Sequence, residues 1–593
     1  MADPQEVLAQ RVRDAIVASF GPAYDDADPL IRPSSFADFQ ANAALPLAKR
    51  VGRPPAEIAR ELLARLDLAG ICTEPAVSGP GFINLTLRED WIAAQAVGML
   101  GDDRLGLAPA AAPPQTIVVE YSSPNIAKEM HVGHLRTTIV GDAIARVLEF
   151  AGHRVIRDNH VGDWGTPFGM LIEHLLDVGE DSPEAALLRT DPNAFYQAAR
   201  RKFDSDPAFA ERARKRVVDL QGGDPETLQH WEELVGFSLD YLHRIYGRLR
   251  VTLTDADIRG ESFYNDMLAD TAAELEEKGI AVYSDGALCA FPPGFTGREG
   301  RPLPVIIRKS DGGYNYSATD LATVRYRVDV LHCDRAIYVV GSDQSLHFQM
   351  VFAVAAEAGW IPPGVVFEHA KIGLVLGPDG NRLRTRSGDN VQLSDLLEEA
   401  VERARGILDE VAAADHFSAA ELDEVAEAVG IGAVKYADLS TARESAYVFD
   451  WDRMISFRGN TGPYLQYATA RLHSIFRRAA EGAAAGGTAA GATAAGIAAA
   501  GIAVTAGPER ALALRLIGFG AIVTQVGQTA EPHRLCAYLF DVASLFTTFY
   551  EECPVLKAEP ESLRASRLAL CALTLRVLST GLDLLGVPAP ERM

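Results

Sequence analysis

The sequence predicts three domains in series: a small α+β domain, an α/β domain on a doubly wound parallel sheet, and an all-α helical bundle. Three observations carry that prediction. The length of 593 residues exceeds what one hydrophobic core serves. Two short apolar runs, Ile117–Val119 and Ala336–Val340, each lead through a polar turn into a helical pattern. After about Leu396 the hydrophobic period is helical almost throughout.

The first domain is expected over residues 1–112. Ala41 to Leu68 mixes Ala, Leu, Ile and Arg at helical spacing, and Phe82 to Leu87 alternates in polarity like a half-buried strand. Ala108 to Pro114 is rich in alanine and proline and reads as a stiff linker.

The α/β domain is expected over 113–453. Its first strand feeds a helix from about His134, with Leu135, Ile139, Ala143, Val147 and Leu148 on one face. Gly152 ends that helix and Arg154-Val155-Ile156 returns as a strand, which completes a βαβ unit. The second unit runs from Ala336 through Gly341-Ser-Asp-Gln344 and a helix to Ala356. The charged sequence between the halves predicts a helical insertion at about 172–300. Such a sheet binds ligands at its strand carboxyl ends.

The bundle is expected over 454–593, with helical runs nearby at Ala400–Val411, Leu422–Leu439, Tyr464–Arg478 and Leu512–Tyr550. Residues 482–508 contain no charge and are nearly all Ala, Gly and Thr. They lack the bulky apolar residues of a membrane span and read as a flexible loop.

Composition narrows the function classes. With 48% hydrophobic and 23% charged residues, the chain is an ordinary globular one, and no membrane association is expected. The net charge of -24 argues against broad electrostatic capture of nucleic acid, so an RNA partner would need a local basic groove. Six scattered cysteines include no C-x-x-C pair, so no protein-bound metal is expected. They read as reduced thiols of a cytoplasmic protein. The N-terminal stretch carries acids and no apolar core, so no secretory signal is expected.

His131-Val-Gly-His134 is the first chemical motif. At a helix start, the three-residue spacing puts both imidazoles on one side, beside unpaired N–H groups and a partial positive charge. Gly133 would let a flat base approach the backbone. The set suits ATP, with reaction at the α-phosphate, although two capping histidines would share the pattern.

The surrounding residues decide between those readings. Glu120-Tyr-Ser-Ser-Pro-Asn-Ile-Ala-Lys-Glu-Met-His-Val-Gly-His134 resembles the first signature of class I aminoacyl-tRNA synthetases, and its Ser-Pro-Asn-Ile-Ala-Lys segment resembles the arginine-specific family. The resemblance continues at Asp158–Thr166, Arg259–Tyr264, Tyr338–His347 and Asn460–Tyr467. It implies an N-terminal additional domain contacting the tRNA D-loop, a Rossmann-type catalytic domain and a helical anticodon-binding domain. It also implies ATP-dependent activation of L-arginine and transfer to the 3′ end of tRNA(Arg). Further implications are magnesium accompanying the ATP, a tRNA requirement even for activation, and a monomer.

The resemblance has one departure. Class I enzymes carry a lysine in a mobile second signature, but Gly377 to Gly388 here contains none. Arg384-Thr-Arg386-Ser387 stands where the family often has Lys-Thr-Arg-Ser. Family members are thought to compensate with a lysine ahead of the first signature, and Lys128 holds that place. Lys128, His131, His134, Arg384 and Arg386 are therefore the expected catalytic set. His131, Gly133, His134, Arg384 and Ser387 are expected to bind ATP.

A guanidinium substrate needs planar acceptors, ideally carboxylates. The resemblance offers Glu120, Asn125, Tyr316, Asp320 and Gln344. Tyr316 and Asp320 are four apart on one helical face, and Asp320 is the expected guanidinium partner. Glu120 and Asn125 leave the first strand near the α-amino group. For tRNA, Tyr464, Tyr467 and Arg471 recur at helical spacing and could stack anticodon bases. Phe82 and Asn84 match positions near the D-loop. A class I synthetase for another amino acid, or a non-catalytic RNA-binding relative, are the competing readings.

Overall fold

The structure is a computed structural model, and it describes residues 3–109, 113–127, 129–297, 300–383, 391–411, 417–484 and 501–593. The N-terminal unit has helices α1 (Pro4–Phe20), α2 (Ala44–Val51) and α3 (Pro55–Arg65) against a four-stranded sheet. Its strands are β1 (Ile31–Pro33), β2 (Phe39–Ala41), β3 (Ala76–Ser78) and β4 (Phe82–Leu85), in the order β1-β2-β4-β3 and antiparallel throughout. Burial along β4 alternates, with Ile83 and Leu85 inward and Phe82 and Asn84 half-exposed. Helix α4 (Glu89–Leu100) follows.

The second sheet contains β5 (Thr116–Glu120), β6 (Arg154–Asp158), β10 (Arg335–Tyr338) and β11 (Val366–His369), all parallel in the order β11-β10-β5-β6. Helix α5 (Val132–Phe150) joins β5 to β6 and begins with His131 as its N-cap. Register puts Tyr338, Glu120 and Asp158 abreast at the strand carboxyl ends. In a parallel sheet such neighbours point to the same face, so this row builds one wall of a site.

The inserted region is helical only in its first part: α6 (Thr166–Val178), α7 (Leu187–Thr190), α8 (Pro192–Ser205), α9 (Pro207–Gln221) and α10 (Pro225–Leu249). Past α11 (Asn265–Glu277) the expectation of helix to about 300 fails. β7 (Ala281–Ser284), β8 (Ala287–Ala290) and β9 (Val305–Arg308) form an antiparallel sheet there. Asp285-Gly286 is the reason: both residues have positive φ, 48° and 81°, and close a two-residue hairpin that a helix cannot accommodate. Helix α12 (Tyr316–Asp329) then leads into β10, and α13 (Ser345–Glu357) follows it.

A short parallel pair, β12 (Val375–Leu376) and β13 (Tyr447–Val448), flanks α14 (Leu393–Val411) and α15 (Ala419–Leu439). The bundle comprises α16 (Trp451–Met454), α17 (Gly462–Ala484), α18 (Gly507–Leu516), α19 (Phe519–Thr529), α20 (His533–Glu552) and α21 (Glu561–Leu584) among the described residues. The run Leu512–Tyr550 is thus three helices, with Ala530 left-handed at one break. The ends of the Ala/Gly segment are ordered: α17 reaches Ala484, and Ile502 and Val504 are buried. There Ala503 donates its N–H to Ser566 Oγ at 2.8 Å. Residues 485–500 lie outside the described residues.

Arg510 ties the bundle to the first unit through Asp38 at 2.7 Å and the Leu87 carbonyl at 2.9 Å. Two stretches, Gly507–Thr529 and Glu561–Leu584, are long and apolar enough to cross a membrane by composition. Their windows are 50% and 67% buried inside the protein, which is also how core helices of a bundle behave. All six cysteines are buried and unpaired.

Candidate active site

The site begins where β5 ends. Ser122 and Ser123 adopt φ of 68° and 45°, an uncommon conformation for side chains with a Cβ. Their surroundings hold them there. Ser122 Oγ lies 2.8 Å from Thr138 Oγ1 and 2.7 Å from Tyr246 Oη, and the Ser123 N–H donates to Asn159 Oδ1 at 3.0 Å. Asn125 bridges to Gly162, and its Oδ1 accepts from the Ala127 N–H at 3.1 Å, which leaves its amide NH2 for another acceptor. Lys128 lies outside the described residues.

His131 and His134 form a reciprocal cap at the start of α5. Gly133 N–H donates to His131 Nδ1 at 3.0 Å, and His131 N–H donates to His134 Nδ1 at 3.1 Å. The imidazoles stack with centroids 3.9 Å apart. A Cβ on Gly133 would come within 2.8 Å of the His131 ring, so glycine is required here by the histidine as well as by any approaching base. The capping reading of the two histidines is thus realised.

Residues on either side of the lysine-free second signature's undescribed part can be placed, and those after it pair with this turn. Its start is a hairpin in which Leu376 pairs with Arg382, and Arg382 lies 3.9 Å from Asp343. Past the segment 384–390, which holds Arg384, Arg386 and Ser387 outside the described residues, Gln392 pairs with His131. Leu393 N–H donates to the Met130 carbonyl and Val132 N–H to the Val391 carbonyl, both at 3.0 Å. Residues 391–393 are thus held on the histidine turn.

The acidic wall is more elaborate than the sequence reading. Glu120 is buried, and its Oε2 accepts from Arg327 at 2.6 Å. The same Arg327 nitrogen reaches Asp158 Oδ2 at 2.9 Å, and the guanidinium lies 4.5 Å over the Tyr338 ring. One arginine thus spans the whole row Tyr338–Glu120–Asp158. Burial opposes its charge, but Tyr338, Glu120 and Asp158 hold it protonated. Burial likewise pushes the Glu120 carboxyl up, against the pull of Arg327 and His160.

Asp320 stands nearby on α12. Its Oδ2 lies 2.6 Å from His347 Nε2, and Tyr316 meets the His347 ring edge-on at 4.9 Å. Tyr316 is 59% exposed and Gln344 is exposed on the turn before α13. Burial disfavours a charge on His160, yet Glu120, Asp320 and Asp158 outweigh it and raise its pKa. Glu261 is pushed up to about 7 by burial, with His160 opposing and Asp163 and Asp320 adding. Glu120, Asp320, His160 and Glu261 therefore share one electrostatic environment. Among the described residues, no group of three or more His, Cys, Asp or Glu is arranged to hold a metal.

Sequence reasoning missed Arg327, His347, His160 and Glu261. Three of them lie inside the quoted family segments, and Arg327 continues the Tyr316–Asp320 helical face seven residues on.

The residues expected to meet RNA divide. Tyr467 is 40% exposed, and Arg471 lies 4.9 Å over its ring while donating to its hydroxyl at 3.2 Å. Both line a cavity of about 420 Å³ with Arg477, Arg478 and Tyr550. Tyr464 departs from the expectation: it tilts against Phe540 at 5.7 Å, with its hydroxyl 3.3 Å from Thr547, because its helical face packs in the bundle. Asn84 is also engaged within its own sheet, accepting from Gln40 at 2.9 Å and donating to Ser78 at 3.1 Å. Phe82 remains half-exposed.

Comparison with known proteins matches the whole arrangement. The family described as tRNA synthetases class I (R), catalytic domain, matches residues 97–451. The arginyl tRNA synthetase N terminal domain matches 6–87 and the DALR anticodon binding domain 465–593. The arginine–tRNA ligase of Thermobifida fusca is 60% identical, with 100% of each chain covered. That of Edwardsiella ictaluri is 48% identical over 99% of this chain and 100% of its own. Among solved structures, the arginyl-tRNA synthetase of Plasmodium falciparum superposes with a TM-score of 0.84 at 28% identity, with 100% of each chain covered. The Thermus thermophilus enzyme gives 0.79 at 27%, over 99% of this chain and 100% of that one.

Proposed function

The chain belongs to the arginyl-tRNA synthetase family, and from that premise we propose which of its side chains carry each part of the reaction. The activity is that of an arginine–tRNA ligase, EC 6.1.1.19, with ATP, L-arginine and tRNA(Arg) as substrates. In the first step a carboxylate oxygen of arginine attacks the α-phosphorus of ATP and pyrophosphate leaves. In the second, a terminal ribose hydroxyl of the tRNA attacks the adenylate carbonyl and AMP leaves.

The ATP phosphates rest at the N-terminus of α5, where His131 and His134 donate to oxygens and the helix end favours negative charge. Gly133 keeps the backbone low beneath the nucleotide. Mg2+ enters as the counter-ion of the ATP phosphates, part of the substrate and not a resident metal. Lys128, Arg384 and Arg386 stabilise the charge that grows on the leaving pyrophosphate, and Ser387 adds a donor. The substrate guanidinium faces Asp320 with Tyr316 beside it, while Glu120, Asn125 and Gln344 serve the α-ammonium end. Tyr467, Arg471 and Phe82 meet the tRNA. The enzyme works as a monomer in the cytoplasm.

The observation that supports this reading best is the convergence of the acidic wall and the histidine turn at the carboxyl ends of β5, β6 and β10. Arginine- and tRNA-dependent pyrophosphate exchange tests it. Lys128→Ala is expected to lower kcat by about 10²-fold, the scale of losing one charge-stabilising donor. Unchanged kcat removes Lys128 from the mechanism. An amino-acid panel in the same assay decides against other specificities, and charging of tRNA with arginine decides against a non-catalytic relative.

A further inference from the structure

We propose that His347 is a specificity-positioning residue: its imidazole holds one oxygen of the Asp320 carboxylate so that the other is presented to the guanidinium of the substrate. The proposal rests on the assignment of Asp320 to that guanidinium.

Three features of the pair carry it. His347 Nε2 lies 2.6 Å from Asp320 Oδ2, the short range of a charge-assisted bond. Asp320 Oδ1 has no hydrogen bond among the described residues, and the side chain keeps 15% of its surface exposed. The imidazole also touches Tyr316 edge-on, so it is wedged between the two side chains assigned to the guanidinium.

The chemistry explains why such a clamp is needed. The terminal torsion of an aspartate is broad and two-fold, so the carboxylate plane is soft unless something holds it. A guanidinium presents its donors in one plane and discriminates by the orientation of its acceptor. An ionised carboxylate has about four lone-pair sites. The imidazole takes one through its Nε2 proton and leaves Oδ1 whole for the substrate. Arg327 makes no hydrogen bond to Asp320 among the described residues; its bonds go to Glu120 and Asp158.

The contact also ties α12 to α13, so the test must separate positioning from support. Aminoacylation kinetics with the full-length enzyme and tRNA would compare His347→Ala, His347→Gln and Asp320→Asn. His347→Ala is expected to raise KM for arginine about 10-fold, as loss of a hydrogen bond to a charged group does. The KM for ATP should stay within about twofold, less than one neutral hydrogen bond. His347→Gln, whose amide can donate from a position like that of Nε2, is expected to restore most of the arginine KM. An unchanged arginine KM in His347→Ala, an equal rise for both substrates, or a glutamine variant no better than alanine overturns the proposal. If Asp320→Asn leaves the arginine KM unchanged, the guanidinium assignment itself falls. If Asp320→Asn raises it and His347→Ala does not, only the positioning role falls.

Discussion

Two arginine–tyrosine stacks, one in the catalytic domain and one in the bundle, show how setting changes what the same residues do. Arg327 lies 4.5 Å over Tyr338, fully buried, with two carboxylates on one nitrogen. Arg471 lies 4.9 Å over Tyr467, which is 40% exposed, and faces a cavity lined by further arginines. In the first, low dielectric makes every partner obligatory, because an unpaired buried charge is costly. In the second, water and salt screen the contact, and the ring and the guanidinium stay open to the cavity. The first stack organises a site, and the second offers a surface.

The comparison can be broken at several points. The largest effect is expected from Arg327→Ala, which leaves Glu120 and Asp158 buried without their cation. Breaking a buried pair this way costs about 3–5 kcal/mol, to be read by chemical denaturation of the catalytic domain within the whole enzyme. A loss below 1 kcal/mol, the scale of an exposed pair, would erase the distinction between the stacks. Next, Asp320→Ala should raise the arginine KM by about 10²-fold, far more than the ATP KM, since a site built for a charged fork loses its acceptor. Equal effects on both substrates would sink the assignment.

At the bundle, Tyr467→Ala should raise the KM for tRNA by about 10-fold, within the 1–3 kcal/mol of a base–aromatic stack, with the arginine KM unmoved. Arg471→Ala should weaken tRNA binding and flatten its salt dependence. No change in either variant would return Tyr467 to mere packing. A further effect, on pH dependence, concerns Glu261, whose pKa is raised to about 7. Between the ordinary carboxylate range and about pH 7, the unfolded carboxyl is ionised while the folded one keeps its proton. The contribution of Glu261 to stability therefore falls as pH rises through that window and is flat above it. Glu261→Gln should remove that slope, a difference of at most about 3 kcal/mol across the window. A slope of equal size in the variant would place its cause elsewhere.

Much of the scaffold was readable along the chain, because its signals are local. The apolar runs at Ile117–Val119 and Ala336–Val340 fall within or across observed strands, and the helix after His131 follows from spacing alone. The hairpin at Asp285-Gly286 was equally local and was overlooked in a stretch read as helical. The engagement of Tyr464 and Asn84 was not local: which face of a helix or strand meets a neighbour depends on packing partners far away in sequence.

By itself the sequence determined the order of domains, the histidine turn at a helix start, the missing lysine of the second signature and the family that its ordered segments resemble. Those properties live in contiguous residues, where spacing and side-chain chemistry suffice. Only the tertiary structure decided that Arg327 would serve Glu120 and Asp158, residues 207 and 169 positions away, and that His347 would meet Asp320 across 27. The reason is register: parallel strands brought Tyr338, Glu120 and Asp158 abreast, helix α12 laid Arg327 over that row, and α13 set His347 against Asp320. The identity of the acids was written in the chain, but the side chains that hold them were chosen by the fold.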